Sequence, residues 1–296
     1  YDLDVFGDYS LFQYINRTST PVGKQHLADW FNAHLELKES IEQRQEAIRE
    51  LSTDLEYRQQ IRLFGLLYKG KPADTNEIRE WAGSPSYYRK HTLLRIIPTV
   101  VSIINLICIG SAIVGILPAT VPGGVFFCFV IFSSIFSKGI TKLQATYGKK
   151  LQILSTYADQ ILLTEKKEMN SPVLQQLKTE LTSQNQTASQ AVRQLSKLMN
   201  ALDQRSNLLM STILNGLIFW ELRQVMRIEK WKETHASDLP RWIETIGEID
   251  AYCSLATFTY NHPDYIFPKI SSQSFHLRAE ALGHPLMNRN KCVRNG

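Results

Sequence analysis

Apolar positions along this chain recur mainly with the period of an α-helix, and in one interval polarity disappears. From Lys24, after Pro21 and Gly23, which are expected to break the chain, Leu27, Trp30, Phe31 and Leu35 recur at helical spacing. Ile41, Ile48 and Leu55 then repeat every seven residues, with Leu51 one turn before Leu55. This predicts an amphipathic helix with one narrow apolar seam and Ser40 as its N-cap. Leu143, Tyr147, Leu151, Leu154, Ala158 and Ile161 step by three and four and predict a further helix. Ser171 and Pro172 suit the cap and first turn of the next one. The stripe resumes at Ala188, Val192, Leu195, Met199 and Leu202, beyond a polar interval SQNQTASQ. Residues 208–220 are apolar all round and too short to span a bilayer, so a buried core helix is expected. A capped helix follows and stops near His262-Pro263. Only FHLRAEAL, residues 275–282, alternates with the period of a strand. The expected fold class is mainly α: long antiparallel helices, a hydrophobic helical hairpin and a short strand at the C-terminus.

The hairpin is residues 96–137, which contain no charged side chain. Crossing a hydrocarbon core takes about 20 apolar residues, and Ile96–Leu117 and Pro118–Ser137 each supply that length. PATVPGG, 118–124, is expected to turn the chain between them. Arg89, Lys90 and Arg95 precede the interval and Lys138, Lys142, Lys149 and Lys150 follow it. By the positive-inside tendency both ends face the cytoplasm. Gly110, Ser111 and Gly115 are small enough for close helix approach. A hairpin buried in a soluble core or an oligomer interface is the alternative.

Composition narrows the chemistry. The net charge of +5 from 33 basic and 28 acidic residues is far from the dense basic face of a dedicated nucleic-acid binder. Cys108, Cys128, Cys253 and Cys292 form no CxxC pair, which argues against a disulfide framework or a zinc site. Gly65 to Pro72 nearly spells a phosphate loop, but Pro72 stands where a hydroxyl should bind magnesium, so a helix-ending loop is expected. Glu244, Glu248 and Asp250 read as carboxylates on a solvated face, and no residue set reads as a catalytic site.

Three stretches, the first in two parts (Asn16–Trp30 with Ile41–Leu51, then Glu248–Ala256 and LGHPLMNRNKCVRNG), together resemble the MutS family of DNA mismatch-repair ATPases. Asn16, Thr18, Thr20, Pro21, Gly23, Leu27 and Trp30 fit that family's N/D-x-T-x-T-P-x-G-x-x-x-L-x-x-W pattern. Ile41, Arg44, Gln45, Ala47, Ile48 and Leu51 fit its following helix. Glu248, Asp250, Ser254, Leu255 and Ala256 fit its returning E-x-D-x-x-x-S-L-A helix. LGHPLMNRNKCVRNG is similar to its G-R-H-P segment, with the usual Arg missing.

The resemblance implies a helical core whose long levers couple a DNA-facing end to a dimeric ATPase. ATP and Mg2+ would bind in a domain downstream of Gly296, the chain reading as a piece cut before it. Cys292, Val293 and Asn295 are the implied nucleotide-proximal residues. Arg193, Lys197 and Arg205 are the candidate DNA contacts, within a looser basic set that includes Arg223, Arg227, Lys230 and Lys232; a solvated helix surface, interleaved with Glu221, Glu229 and Glu233, is the alternative. Expected partners are DNA, a membrane through residues 96–137, and a second copy through the ATPase domain. The expected location is the cytoplasmic side of the cell membrane, with the cytoplasm as alternative. The expected sections are 1–90, the first part of the core; 91–142, the hairpin; 143–265, lever and core helices; and 266–296, a linker with the first strand. A scaffold of the same fold without mismatch recognition is the second functional expectation.

Overall fold

The computed structural model describes residues 5–67, 72–183, 186–203, 207–271, 277–287, 292–294 and 296. In chain order its helices are α1 (Leu11–Ile15), α2 (Pro21–Asn32), α3 (Lys38–Thr53), α4 (Leu55–Leu67), α5 (Pro72–Gly83), α6 (Thr92–Ile113), α7 (Thr120–Lys166) and α8 (Pro172–Glu180). A small ribbon, β1 (Thr182–Ser183) and β2 (Gln186–Thr187), pairs antiparallel within the polar interval. Helices α9 (Ala188–Asp203), α10 (Leu208–Ile218), α11 (Trp220–His235) and α12 (Asp238–Asn261) complete the set. The architecture is mainly α, as expected. Of the alternating segment 275–282, Phe275 and His276 lie outside the described residues, and the remainder contributes one bridging residue, Leu282.

The chain forms two compact units. One comprises Tyr1–Pro72, Asp159–Thr187 and Arg241–Gly296; the other comprises Ala73–Ala158 and Ala188–Pro240. In the first unit, α2 begins three residues earlier than the apolar pattern indicated. Pro21 occupies its first turn, where a missing N–H costs nothing, and Thr20 Oγ1 accepts from Gly23 N as the N-cap. Pro21 and Gly23 therefore start a helix instead of breaking one. Helix α3 likewise starts at Lys38, ahead of Ser40. Of the expected seam, Ile48 and Leu51 are buried, with Ala47 beside them, whereas Ile41 is half-buried and Leu55 falls in α4 and is exposed. Asp54 ends α3 and accepts from Tyr57 N, which opens α4. Helix α8 packs on α3. Glu50 ties the two together, its carboxylate accepting from Asn170 N and Ser171 N at the N-terminal end of α8.

In the second unit the stripe Ala188, Val192, Leu195, Met199 and Leu202 is buried throughout. Helix α9 packs on α11, and Trp231 Nε1 donates to Ala191 O. The hairpin forms with two differences. The turn lies at 114–119, where Gly115 takes φ +81°, so Pro122, Gly123 and Gly124 fall inside α7. Proline near a helix start leaves the backbone ladder intact. Helix α7 also runs unbroken through the stretch expected as a separate helix, for 47 residues.

Candidate functional site

Three of the sequence stretches singled out above meet in the first unit. Asp250 of α12 is 1% exposed. Its carboxylate accepts from Ser19 N and Thr20 N at 2.9 and 2.8 Å, and from Ser19 Oγ and Thr20 Oγ1 at 3.1 and 2.8 Å. One helical turn on, Ser254 Oγ accepts from Arg17 N and donates to Ile15 O. Two residues 230 or more positions downstream thus hold the T-x-T-P loop. Glycine is required twice at this contact. A Cβ on Gly23 would collide with the Asp250 side chain, and one on Gly247 with Val22. Burial drives the Asp250 carboxyl up to about 6, against the pull of the hydrogen bonds from Thr20 and Ser19. Burial likewise raises Glu248.

The aromatic anchor beside this clasp also has partners. The Arg44 guanidinium lies 4.3 Å over the Trp30 ring, and Tyr252 packs 4.6 Å from it. Gln45 donates to Pro268 O and accepts from Arg49. Gly65 of the near-phosphate-loop sequence lies in α4, where the missing Cβ admits Ser19 and Gln160. Gly70 and Lys71 lie outside the described residues.

In the second unit, α11 braces the base of the hairpin. Glu229, 2% exposed, accepts from three consecutive amides, Tyr87, Tyr88 and Arg89, in the loop entering α6. Lys232 Nζ donates to Ser84 O and Oγ, and burial lowers its pKa against the opposing pull of Glu229 and Glu233. Arg89 pairs with Glu233 at 2.9 Å. Farther up, Arg223 donates to Pro98 O and Ser102 Oγ. Arg223 and Lys232 are thus turned inward, and the basic set read from the sequence loses both. Arg193 and Lys197 are exposed on one face of α9, a turn apart. Arg205 lies outside the described residues.

Above the brace the surface is apolar. Helix α6 and the α7 segment Thr120–Gln144 are each long and apolar enough to cross a membrane. Only 17% of the most apolar stretch of the first is buried, and none of the second's. The core helix of a soluble protein buries such a face. Leu106, Ile113, Ile131 and Ile135 are among the outward side chains.

Neither a curated protein nor a solved structure matches the chain significantly. The family model of MutS domain III, however, matches residues 3–256. The chain belongs to the MutS family. The match runs through the clasp and across the hairpin, so the apolar interval lies inside this MutS core region. Of the nucleotide-proximal expectations, Cys292 is half-buried with its Sγ facing His284 O at 4.0 Å, and Val293 is exposed. Asn295 lies outside the described residues.

Sequence reasoning placed both Asp250 and Glu229 on solvated faces. Both were findable. Asp250 falls in the stripe Ile243, Ile246, Asp250, Ser254, and Glu229 in Leu222, Val225, Glu229, Lys232, all at helical spacing. A carboxylate inside such a stripe is buried and must find donors.

Proposed function

We propose that this chain is the core and lever region of a MutS-type ATPase tethered to a membrane through residues 96–137. ATP binding in a downstream domain would move the levers and alter contact with DNA or a DNA-bound partner. The observation carrying this reading is an uncharged, outward-facing apolar hairpin set within a MutS domain III match. The basic residues at both ends of the hairpin favour the cytoplasmic side of the cell membrane. Dimerisation belongs to the ATPase domain in this scheme. Cys292 and Val293 offer a thiol and an isopropyl group, suited to the flat face of a purine base; phosphates and Mg2+ would be held downstream. Arg193 and Lys197 contact DNA phosphates, a sequence-blind and salt-sensitive interaction. The test is fractionation of the intact protein. It should pellet with membranes, resist alkaline carbonate and require detergent for release. Complete recovery in the soluble fraction without detergent would remove the tether.

A second reading, a membrane-held scaffold of MutS fold without mismatch recognition, draws support from the inward turn of Arg223 and Lys232. Absence of DNA affinity, or affinity insensitive to salt, selects it.

A further inference from the structure

Helix α10 does not fit the buried core helix its sequence suggested. No charged side chain occurs from Asn207 to Trp220, yet Leu208 and Leu209 are each 78% exposed, and Met210 and Ile213 are each 48% exposed. The buried residues of α10 are instead Asn215 and Gly216, at its far end.

That end is fastened between the two arms of the hairpin. Asn105 Nδ2 of α6, itself 4% exposed, donates to Gly216 O and Leu217 O, each at 3.0 Å. A Cβ on Gly216 would run into the Phe126 ring and Val130 of α7. Gly216 therefore provides the close approach expected of Gly110, whose own Cβ position meets open space. Immediately beyond, Phe219 adopts a left-handed conformation, φ 52°, and reverses the chain. Its ring sits among Phe129, Phe132 and Phe136 of α7. The chain then returns along the hairpin. Arg223 meets Pro98 and Ser102, and Glu229 meets the loop at Tyr87–Arg89. The outward order of these contacts along α11 matches their outward order along α6.

Asn105 is nine residues above Ile96, about 14 Å at 1.5 Å per residue, or near the middle of a hydrocarbon layer of about 30 Å. At the other end of α10, Asp203, which closes α9, accepts from Gln144 Nε2 of α7, beyond the basic end of the hairpin, so α10 rises from that end to about mid-depth and α11 leads back out. The side chains of Asn215 and Glu221, which flank the reversal, are paired within the protein. Glu221 accepts from Ser211 Oγ and Asn215 Nδ2, and Asn215 Oδ1 accepts from Glu221 N. Irregular backbone at membrane depth is tolerated when its polar groups are satisfied in this way.

We infer that α10 and the start of α11 form a re-entrant element that enters the membrane from the basic side, wedged between α6 and α7, with Leu208, Leu209 and Ile213 facing acyl chains of that leaflet. The inference rests on the membrane tether proposed above. The occupant is lipid, because the exposed side chains of α10 are uncharged, its far end is fastened to both arms of an outward-facing apolar hairpin, and that hairpin is flanked in sequence by Arg89, Lys90 and Lys138.

Spin labels placed singly through Leu209→Cys, Ile213→Cys, Ile131→Cys and Lys230→Cys, in a background lacking the four native cysteines, test it. The full chain is reconstituted in vesicles of phosphatidylcholine and phosphatidylglycerol, and relaxation by dissolved oxygen is compared with relaxation by a water-soluble nickel chelate. Oxygen should dominate at 209, 213 and 131, and nickel at 230. Nickel dominating at 209 and 213 while oxygen dominates at 131 overturns the re-entrant element and leaves the tether standing. Nickel dominating at 131 as well overturns both. Exclusion of both reagents at 213 also overturns the inference, because it means that protein, and not lipid, covers α10.

Discussion

The Asp250 clasp permits a quantitative test. Asp250→Ala removes the acceptor of two backbone amides, the half-buried Ser19 and the buried Thr20, that no rotation can redirect. A buried amide left unpaired costs about 1–3 kcal/mol, so the loss should be roughly 4 kcal/mol. Asp250→Asn keeps the volume and one acceptor oxygen but removes the charge. The folded-state pKa of about 6 lies above the ordinary 3.8. The wild-type advantage is therefore complete below pH 3.8 and is lost as pH rises through about 6. At roughly 1.4 kcal/mol per pKa unit, the stability difference between wild type and Asp250→Asn should fall by roughly 2 kcal/mol from pH 4 to pH 7. Urea denaturation of the full chain in detergent micelles, followed by circular dichroism, measures this. Hydrogen exchange at Ser19 and Thr20 reports the same contact locally. Parallel pH profiles for wild type and Asp250→Asn, or Asp250→Ala within about 1 kcal/mol of wild type, would refute the assignment of a strained, buried carboxylate holding this loop.

Other expectations are as specific. Gly23→Ala should lower the melting temperature although alanine is the better helix former by about 1 kcal/mol, because its Cβ meets Asp250; a rise in melting temperature would contradict the close approach. Glu229→Ala should open the loop at 84–91 to protease, with a loss of about 3 kcal/mol for three amides left without their shared acceptor; an unchanged cleavage pattern would count against the brace. Gly216→Leu should free α10 from the hairpin, read as nickel accessibility at a label on residue 213; retained protection would show that Phe126 and Val130 yield. If the intact protein binds DNA, the double substitution Arg193→Glu with Lys197→Glu should flatten the slope of log affinity against log salt by about 2, and an unaltered slope would place the contacts elsewhere.

The parts legible in the sequence were those governed by periodicity and by strong local rules. The α9 stripe, the Ser171-Pro172 start of α8 and the two long apolar helices follow from residue spacing alone. Pro21 was harder, because proline marks both an interruption and a first helical turn; Thr20 in front of it decides between them. The continuity of α7 past Ser137 was hidden by the change from apolar to amphipathic character, which alters the surroundings of a helix without ending it. Exposure of α10 was illegible for the opposite reason. An all-apolar helix looks the same from sequence whether protein or lipid surrounds it. The clasp could not be seen as a contact because its partners are separated by most of the chain, although the residues on both sides had already been noticed as motif positions.

That separation orders the protein's biogenesis. Translation runs at roughly 5–20 residues per second, so Asp250 follows its partner Thr20, 230 residues earlier, by about 10–50 s. During that interval the T-x-T-P loop has no carboxylate to close on, and the first unit, built from three separate stretches, lacks its last. On the membrane reading, residues 96–137 reach the bilayer within that wait. On that same reading the first unit is completed by a chain already anchored at its middle, which would make its closure a local search beside the membrane surface.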